Sequence, residues 1–119
     1  MNFYMNKNDN FFIQLDHDDF TSEEMKLILL EKHEGDEKKH QPLVSRVGNT
    51  ITVKIGDIMH PMSVEHHISM IFLKTKQGGQ YKKLSYLETP IVKFELSEDD
   101  EPIEVYGYCN LHGLWKEKV

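Results

Sequence analysis

One cysteine and a set of histidines carry the chemistry that this sequence advertises. The cysteine, Cys109, sits three residues before His112 in "YCNLHGLW", an aromatic-flanked run near the C-terminus. A thiol buried only for packing needs no imidazole beside it, whereas a nucleophile or a metal ligand does. Upstream, "KKHQP" supplies His40 and "MHPMSVEHHI" supplies His60, His66 and His67. Each cluster adjoins Pro or Gly and so reads as a strand end or turn, where loops on a rigid scaffold can converge.

The residue types narrow the chemistry. A closed structural zinc site is tetrahedral and takes four ligands. Four of these imidazoles and the thiolate would make five, which suits a metal that accepts five or six, as iron does. Five protein ligands on an octahedral metal leave one position for a small molecule to bind and take an electron. A thiolate would push electron density toward that molecule, as it does in thiolate-ligated haem. Spacing alone goes no further than a mononuclear metal site. A Cys109–His112 nucleophilic dyad is a rival reading, but it leaves the remaining histidines without a role.

The elements that would position these residues are strands. "NTITVKIGD" alternates, with Ile51, Val53 and Ile55 on one face. "HHISMIFLKT" is apolar on both faces, as a central or interfacial strand would be. "QGGQ" is a turn, and "IVKFELS" puts Val92, Phe94 and Leu96 inward. "SEDDEP" is an exposed acidic loop, and "IEVYGYCN" is a last strand running into the cysteine motif. Short strands at regular spacing indicate an all-β sandwich over residues 37–119. Residues 1–36 differ in texture, being polar and acidic, and read as an N-terminal extension. There "FFIQ" is a short strand, "DHDDF" a turn and "TSEEMKLILLEKHE" a helix. Thr21 and Glu24 form its capping box, Met25, Ile28 and Leu29 its apolar face, and Gly35 its end.

Composition bounds the rest. The 119 residues suit one compact domain, and 39% hydrophobic with 29% charged residues is ordinary for a soluble protein. A net charge of −6 argues against nucleic acid as a partner. A local positive field can still draw a small anion against that global sign. No apolar run is long enough to span a bilayer, and the N-terminus lacks the apolar core of a signal peptide, so a cytoplasmic protein is expected. A lone cysteine fits a reducing compartment.

At "HPMSVEHHI", "YCNLHGLWK" and "KHQP" the chain resembles the superoxide reductase family, also called desulfoferrodoxin or neelaredoxin. The likeness runs through "VGNTITVKIGDIMHPM" and "IFLKTKQGGQYKKL" and covers roughly residues 37–118. It implies an immunoglobulin-like seven-stranded β-sandwich that holds one mononuclear non-haem iron. His40, His60, His66 and His112 would be its equatorial ligands and Cys109 its axial thiolate. His67 falls at a position that is commonly aromatic in the family and reads as packing beside the site. The implied activity is reduction of superoxide by one electron and two protons to hydrogen peroxide. Rubredoxin or a similar small redox protein would be the donor, and the protein would be a homo-oligomer, dimer or tetramer. A non-catalytic electron-transfer protein on the same scaffold is the alternative.

Two departures stand out. Family members usually carry Glu-Lys-His at the first ligand, with the Glu able to reach the iron. Here the run is Lys38-Lys39-His40. Lys39 matches the family lysine that attracts and hydrogen-bonds the bound anion, and Lys38 replaces the Glu. Two-iron relatives also bear an N-terminal four-cysteine module. This chain has "FFIQLDH" and "FTSEEMK" at the corresponding places, with no cysteine, so one iron per chain is expected.

Overall fold

The computed structural model describes residues 1–15, 24–28 and 35–119. Seven strands make the β-sandwich. They are β4 (Pro42–Val47), β5 (Thr50–Ile55), β6 (Ile68–Thr75), β7 (Gly79–Lys83), β8 (Ile91–Glu95), β9 (Pro102–Cys109) and β10 (Gly113–Lys118). One sheet has the order β4-β5-β8 and the other β10-β9-β6-β7, and the described strand pairs are antiparallel.

Alternation places the core where the sequence puts it. Ile51, Val53 and Ile55 are fully buried against Val92, Phe94 and Leu96 from the neighbouring strand and its exit. Ile68, Ile71, Leu73, Val105 and Cys109 close the same core from the facing sheet. Cys109 pairs in register with Ile68 on one side and Gly113 on the other. The thiol that could serve chemistry is thereby part of the rigid core rather than of a loop.

Strand β6 is apolar on both faces because both are covered. Its second face, with Met70 and Phe72, joins Tyr106 and Leu114 in a separate cluster centred on Phe3. Phe3 comes from a third sheet, ordered β2-β1-β3, formed by β1 (Asn2–Asn6), β2 (Phe11–Gln14) and β3 (Met25–Ile28). The Phe3 ring lies 4.7 Å from Tyr106 and 6.1 Å from Phe72, edge-on to the latter. Phe11 lies 5.2 Å from Tyr108, the neighbour of Cys109.

This corrects the reading of the N-terminal segment. Residues 25–28 form a strand, paired from Phe3↔Ile28 to Asn6↔Met25, and not part of a helix. Over four residues an apolar pattern cannot separate the two periods, and pairing with β1 decides. The expected cap at Thr21 and the turn "DHDDF" lie outside the described residues, as do His17 and His33. The strand at "FFIQ" is present as β2, whereas β1 had no clear sequence signal. A further correction concerns "IEVYGYCN", which is not the last strand. The cysteine motif is the turn of a hairpin, and β10 returns from it.

Candidate metal centre

The site lies where three connections meet at one end of the sandwich. The first is α1 (Glu37–His40), a single turn before β4, capped by the Asp36 carboxylate accepting from the Lys38 N–H at 2.9 Å. It presents His40. The second is the β5–β6 connection, which carries His60, His66 and His67. The third is the β9–β10 turn, with Cys109 at its start and His112 just before β10.

Main-chain bonds fasten these pieces together. The Ile58 N–H donates to the Lys38 carbonyl at 3.1 Å, and the Gly56 N–H donates to the Gln41 carbonyl at 3.1 Å. Gly56 has φ +89°, and a Cβ there would fall 2.5 Å from the Lys39 carbonyl oxygen. Only glycine lets the His40 turn and the His60 loop approach so closely. Asn110 joins the other two connections. Its side-chain amide donates to the Glu65 carbonyl at 3.0 Å, and its Oδ1 accepts from the His67 N–H at 2.9 Å. Its own N–H donates to the His67 carbonyl at 3.1 Å.

Five of the singled-out side chains converge. The ligand atoms of His40, His66, Cys109 and His112 lie within 4.8 Å of one another. The His60 ring is 4.6 Å from that of His40 and 4.5 Å from that of His66. Cys109, His40 and His60 are buried, whereas His66 and His112 are half-buried, so the site opens on their side. Lys39 is exposed, and its positive charge contributes to lowering the His66 pKa. His67 does not join the cluster; its Nδ1 donates to the Ser63 carbonyl at 2.9 Å.

Protonation states follow from the partners. His40 Nδ1 lies 2.7 Å from the Asp36 carbonyl oxygen and His60 Nδ1 lies 2.7 Å from that of Pro61. A carbonyl only accepts, so each Nδ1 carries a proton, and in the neutral ring that leaves Nε2 with the lone pair that a metal can take. Those two Nε2 atoms face each other at 3.1 Å, and His40 Nε2 also faces His112 Nδ1 at 3.0 Å. His66 Nε2 is buried with no hydrogen-bond partner among the described residues. Trp115 stacks on His40 at 5.0 Å and fixes the ring's plane. Facing lone pairs and an orphaned ring nitrogen are costly unless a cation lies between them. The donor set, imidazoles with one thiol, is that of a transition-metal site.

Burial prepares the same state. Desolvation, aided by the neighbouring imidazoles, lowers the His60 pKa to about 4 against the opposing Pro61 hydrogen bond. It also lowers that of His66, with His112 the next cause. Both rings are therefore neutral and ready to ligate at neutral pH. Burial raises the Cys109 pKa, with the Leu111 and His112 N–H groups opposing the rise. The Sγ lies 3.7 Å from His112 Nδ1.

Comparison with known proteins places this arrangement. The desulfoferrodoxin family model matches residues 32–118. The chain belongs to the desulfoferrodoxin family. It is 35% identical to a desulfoferrodoxin of Clostridium acetobutylicum, over 82% of this chain and 76% of that protein. It is 32% identical to a superoxide reductase of Pyrococcus horikoshii, over 69% of this chain and 86% of that protein. Among solved structures, the superoxide reductase from Treponema pallidum superposes with a TM-score of 0.82 at 32% identity, covering 98% of each chain. A superoxide reductase (1Fe-SOR) from Giardia intestinalis gives 0.60 at 28% identity, covering 69% of this chain and 97% of that one. The Treponema match spans the N-terminal sheet as well as the sandwich. The Giardia match, by contrast, covers a smaller share of the chain, and the family model begins at residue 32.

Sequence reasoning singled out the residues that converge because imidazole and thiol are chemically distinct ligand types. It missed Asp36, Pro61, Asn110 and Trp115, which orient them. Asp36 and Pro61 act through main-chain carbonyls, which any residue carries, so no side-chain signal exists. Asn110 had one available signal, its place inside the cysteine motif.

Proposed function

We propose that this desulfoferrodoxin-family chain is a superoxide reductase. It converts superoxide, one electron and two protons to hydrogen peroxide at a single non-haem iron. The observation that carries this is the facing pair of Nε2 lone pairs on His40 and His60, 3.1 Å apart beside a buried thiol. His40, His60, His66, His112 and Cys109 hold the iron, and bound iron supplies the one-electron redox couple.

The chain's own groups do the rest. Asp36 and Pro61 keep the Nδ1 protons of His40 and His60 out of the site. Cys109 stays in the dry core, where its thiolate is shielded from water and stray oxidants once the metal has displaced its proton. Lys39 stands at the open side, beside half-buried His66, and draws in the superoxide anion. Lys38 adds a second positive charge where the family has Glu. The entrance is therefore positive on a chain of net charge −6, and no carboxylate stands at that position to cap the open side.

The division at residues 36 and 37 follows the same reading. Residues 1–36 form a cysteine-free segment whose described strands, β1 to β3, brace the sandwich, and residues 37–119 carry the iron, one per chain. A small redox protein such as rubredoxin returns the electron, and the chain works as a homo-oligomer in the cytoplasm. None of the helices among the described residues is long and apolar enough to cross a membrane.

The test is to challenge reduced, iron-loaded protein with a pulse of superoxide and measure the peroxide formed. A reductase yields one peroxide for each superoxide consumed. Half that yield marks a dismutase, and an unreactive reduced site marks a non-catalytic electron carrier.

A further inference from the structure

Gly35 lies against two of the five converging ligand residues. Its φ is +112°, in the region that glycine adopts and other residues avoid. A Cβ built on it would fall 2.8 Å from His112 Cγ, 2.8 Å from His40 Cε1 and 3.1 Å from His112 Cβ. The backbone at Gly35 thus rests on both rings, with room for a hydrogen and nothing larger. The next residue, Asp36, reaches His40 a second time, accepting from Nδ1 at 2.7 Å. Its carboxylate also caps the turn that carries His40.

The two rings so contacted come from opposite ends of the sandwich sequence, 72 residues apart, and meet edge to face at 4.8 Å. Trp115 stacks on His40 with an interplanar angle of 18°. Gly35 touches His40 at Cε1 and His112 at Cγ, and so bears on the angle between them. Rigid support of this kind is what holds a metal site to one geometry.

We propose that Gly35 is a positioning residue for the metal centre. Its bare backbone acts as a strap across His40 and His112 that sets the orientation of both rings. The inference rests on the reading of these residues as ligands of one iron.

Three full-length variants test it: Gly35→Ala, Gly35→Asn and Gly48→Ala. Gly35→Ala adds a Cβ in a conformation that alanine resists. Gly35→Asn adds the same Cβ, but Asn accepts positive φ more readily. Gly48 has φ +60° and nothing within 4 Å of its would-be Cβ, so its variant reports backbone strain alone. The measurements on iron-loaded protein are the rhombicity of the ferric EPR signal, the thiolate-to-iron absorption band and the rate of iron loss to a chelator.

Both Gly35 variants are expected to keep the absorption band, because Cys109 is untouched. Both should change the EPR rhombicity and lose iron about tenfold faster than the native protein, the scale seen when ligand-orienting contacts are removed. Gly48→Ala should match the native protein. Native spectra and iron-loss rates in both Gly35 variants would overturn the proposal. So would an Ala effect that Asn abolishes, since that would assign the change to strain. Native protein, run alongside with superoxide, separates the two readings. If it fails to react while the Gly35 variants still alter the iron spectrum, the function falls and the strap stands.

Discussion

His40 and His60 turn their Nε2 atoms toward each other at 3.1 Å while each commits its Nδ1 proton to a main-chain carbonyl. Two neutral imidazoles in that arrangement repel, because no hydrogen lies between the lone pairs. A cation between them turns the repulsion into attraction. Removing the metal should therefore destabilise the fold. Metal that binds only the native state stabilises it by about 2.7 kcal/mol at a free concentration a hundredfold above its Kd. Thermal melts of chelator-treated protein, with and without added ferrous iron, should show a rise of several degrees on metal addition. An unchanged melting temperature at saturating iron would count against the site.

Cys109 gives the second prediction. Its thiol is fully buried and held above the usual thiol range by desolvation. A metal takes the thiolate, so binding must expel that proton. Because the folded-state pKa is raised, the thiol stays protonated through neutral pH. Apparent metal affinity should then climb as pH rises, by about tenfold per unit for each proton displaced. Cys109→Ser should remove the thiolate-to-ferric absorption band and most of the superoxide reactivity, since a hydroxyl is a poor replacement for a soft ligand. A retained band would exclude Cys109 as the sulfur donor.

Lys38 and Lys39 are exposed and directly precede His40, and the third prediction concerns the positive field they would lend the entrance. Steered association of an anion weakens as salt screens the charge over about 8 Å at physiological ionic strength. The rate of superoxide capture should fall with added salt in the native protein. Lys39→Ala should lower that rate several-fold at low salt and flatten the profile. Lys38→Glu should do the same and, by restoring the family residue, place a carboxylate near the iron in the oxidised state. A salt-independent native rate would show that the two lysines do not guide the substrate.

Legibility varied with how local the cause was. The strands β5 and β8 were plain because one face of each is buried, and alternation records that in types such as Ile51, Val53 and Phe94. The doubly apolar β6 announced a covered second face without naming the cover, since Phe3 lies in an unremarkable polar N-terminus. The strand at Met25–Ile28 was misread as helix because its four residues satisfy both periods and only pairing with β1 resolves them. The types of the converging side chains were legible, because imidazole and thiol are chemically distinct. Their orientation was not, because Asp36 and Pro61 contribute carbonyl oxygens and Gly35 contributes the absence of a side chain.

Phe3 supplies the fourth prediction. It is 3% exposed and stands at the centre of the cluster joining the N-terminal sheet to β6 and β9. Truncating a buried Phe to Ala typically costs about 3–5 kcal/mol, from lost transfer energy and the cavity left behind. Phe3→Ala should lower the denaturation midpoint accordingly and loosen the sheet from the outer face of the sandwich. The iron absorption band should persist, because the ligands lie on connections that the core of β5, β8 and β9 still supports. A stability loss under about 0.5 kcal/mol would mean that the N-terminal sheet contributes nothing to holding the fold.

Asn110 supplies the last. Its side chain spans the gap between the turn carrying Cys109 and His112 and the loop carrying His66, bonding Glu65 O and the His67 N–H. Asn110→Ala removes both side-chain bonds but leaves the main-chain bond from its N–H to His67 O. The site is exposed at Asn110, so water can satisfy the freed groups, and the stability cost should stay near about 1 kcal/mol. The effect on the metal should be larger than that figure suggests, because the lost bonds are those that fix His66 relative to Cys109. Iron loss to a chelator should quicken by about tenfold with the fold intact. A variant that loses stability without faster iron release would show Asn110 to be an ordinary turn residue. Faster release at near-native stability would show that it serves the metal centre.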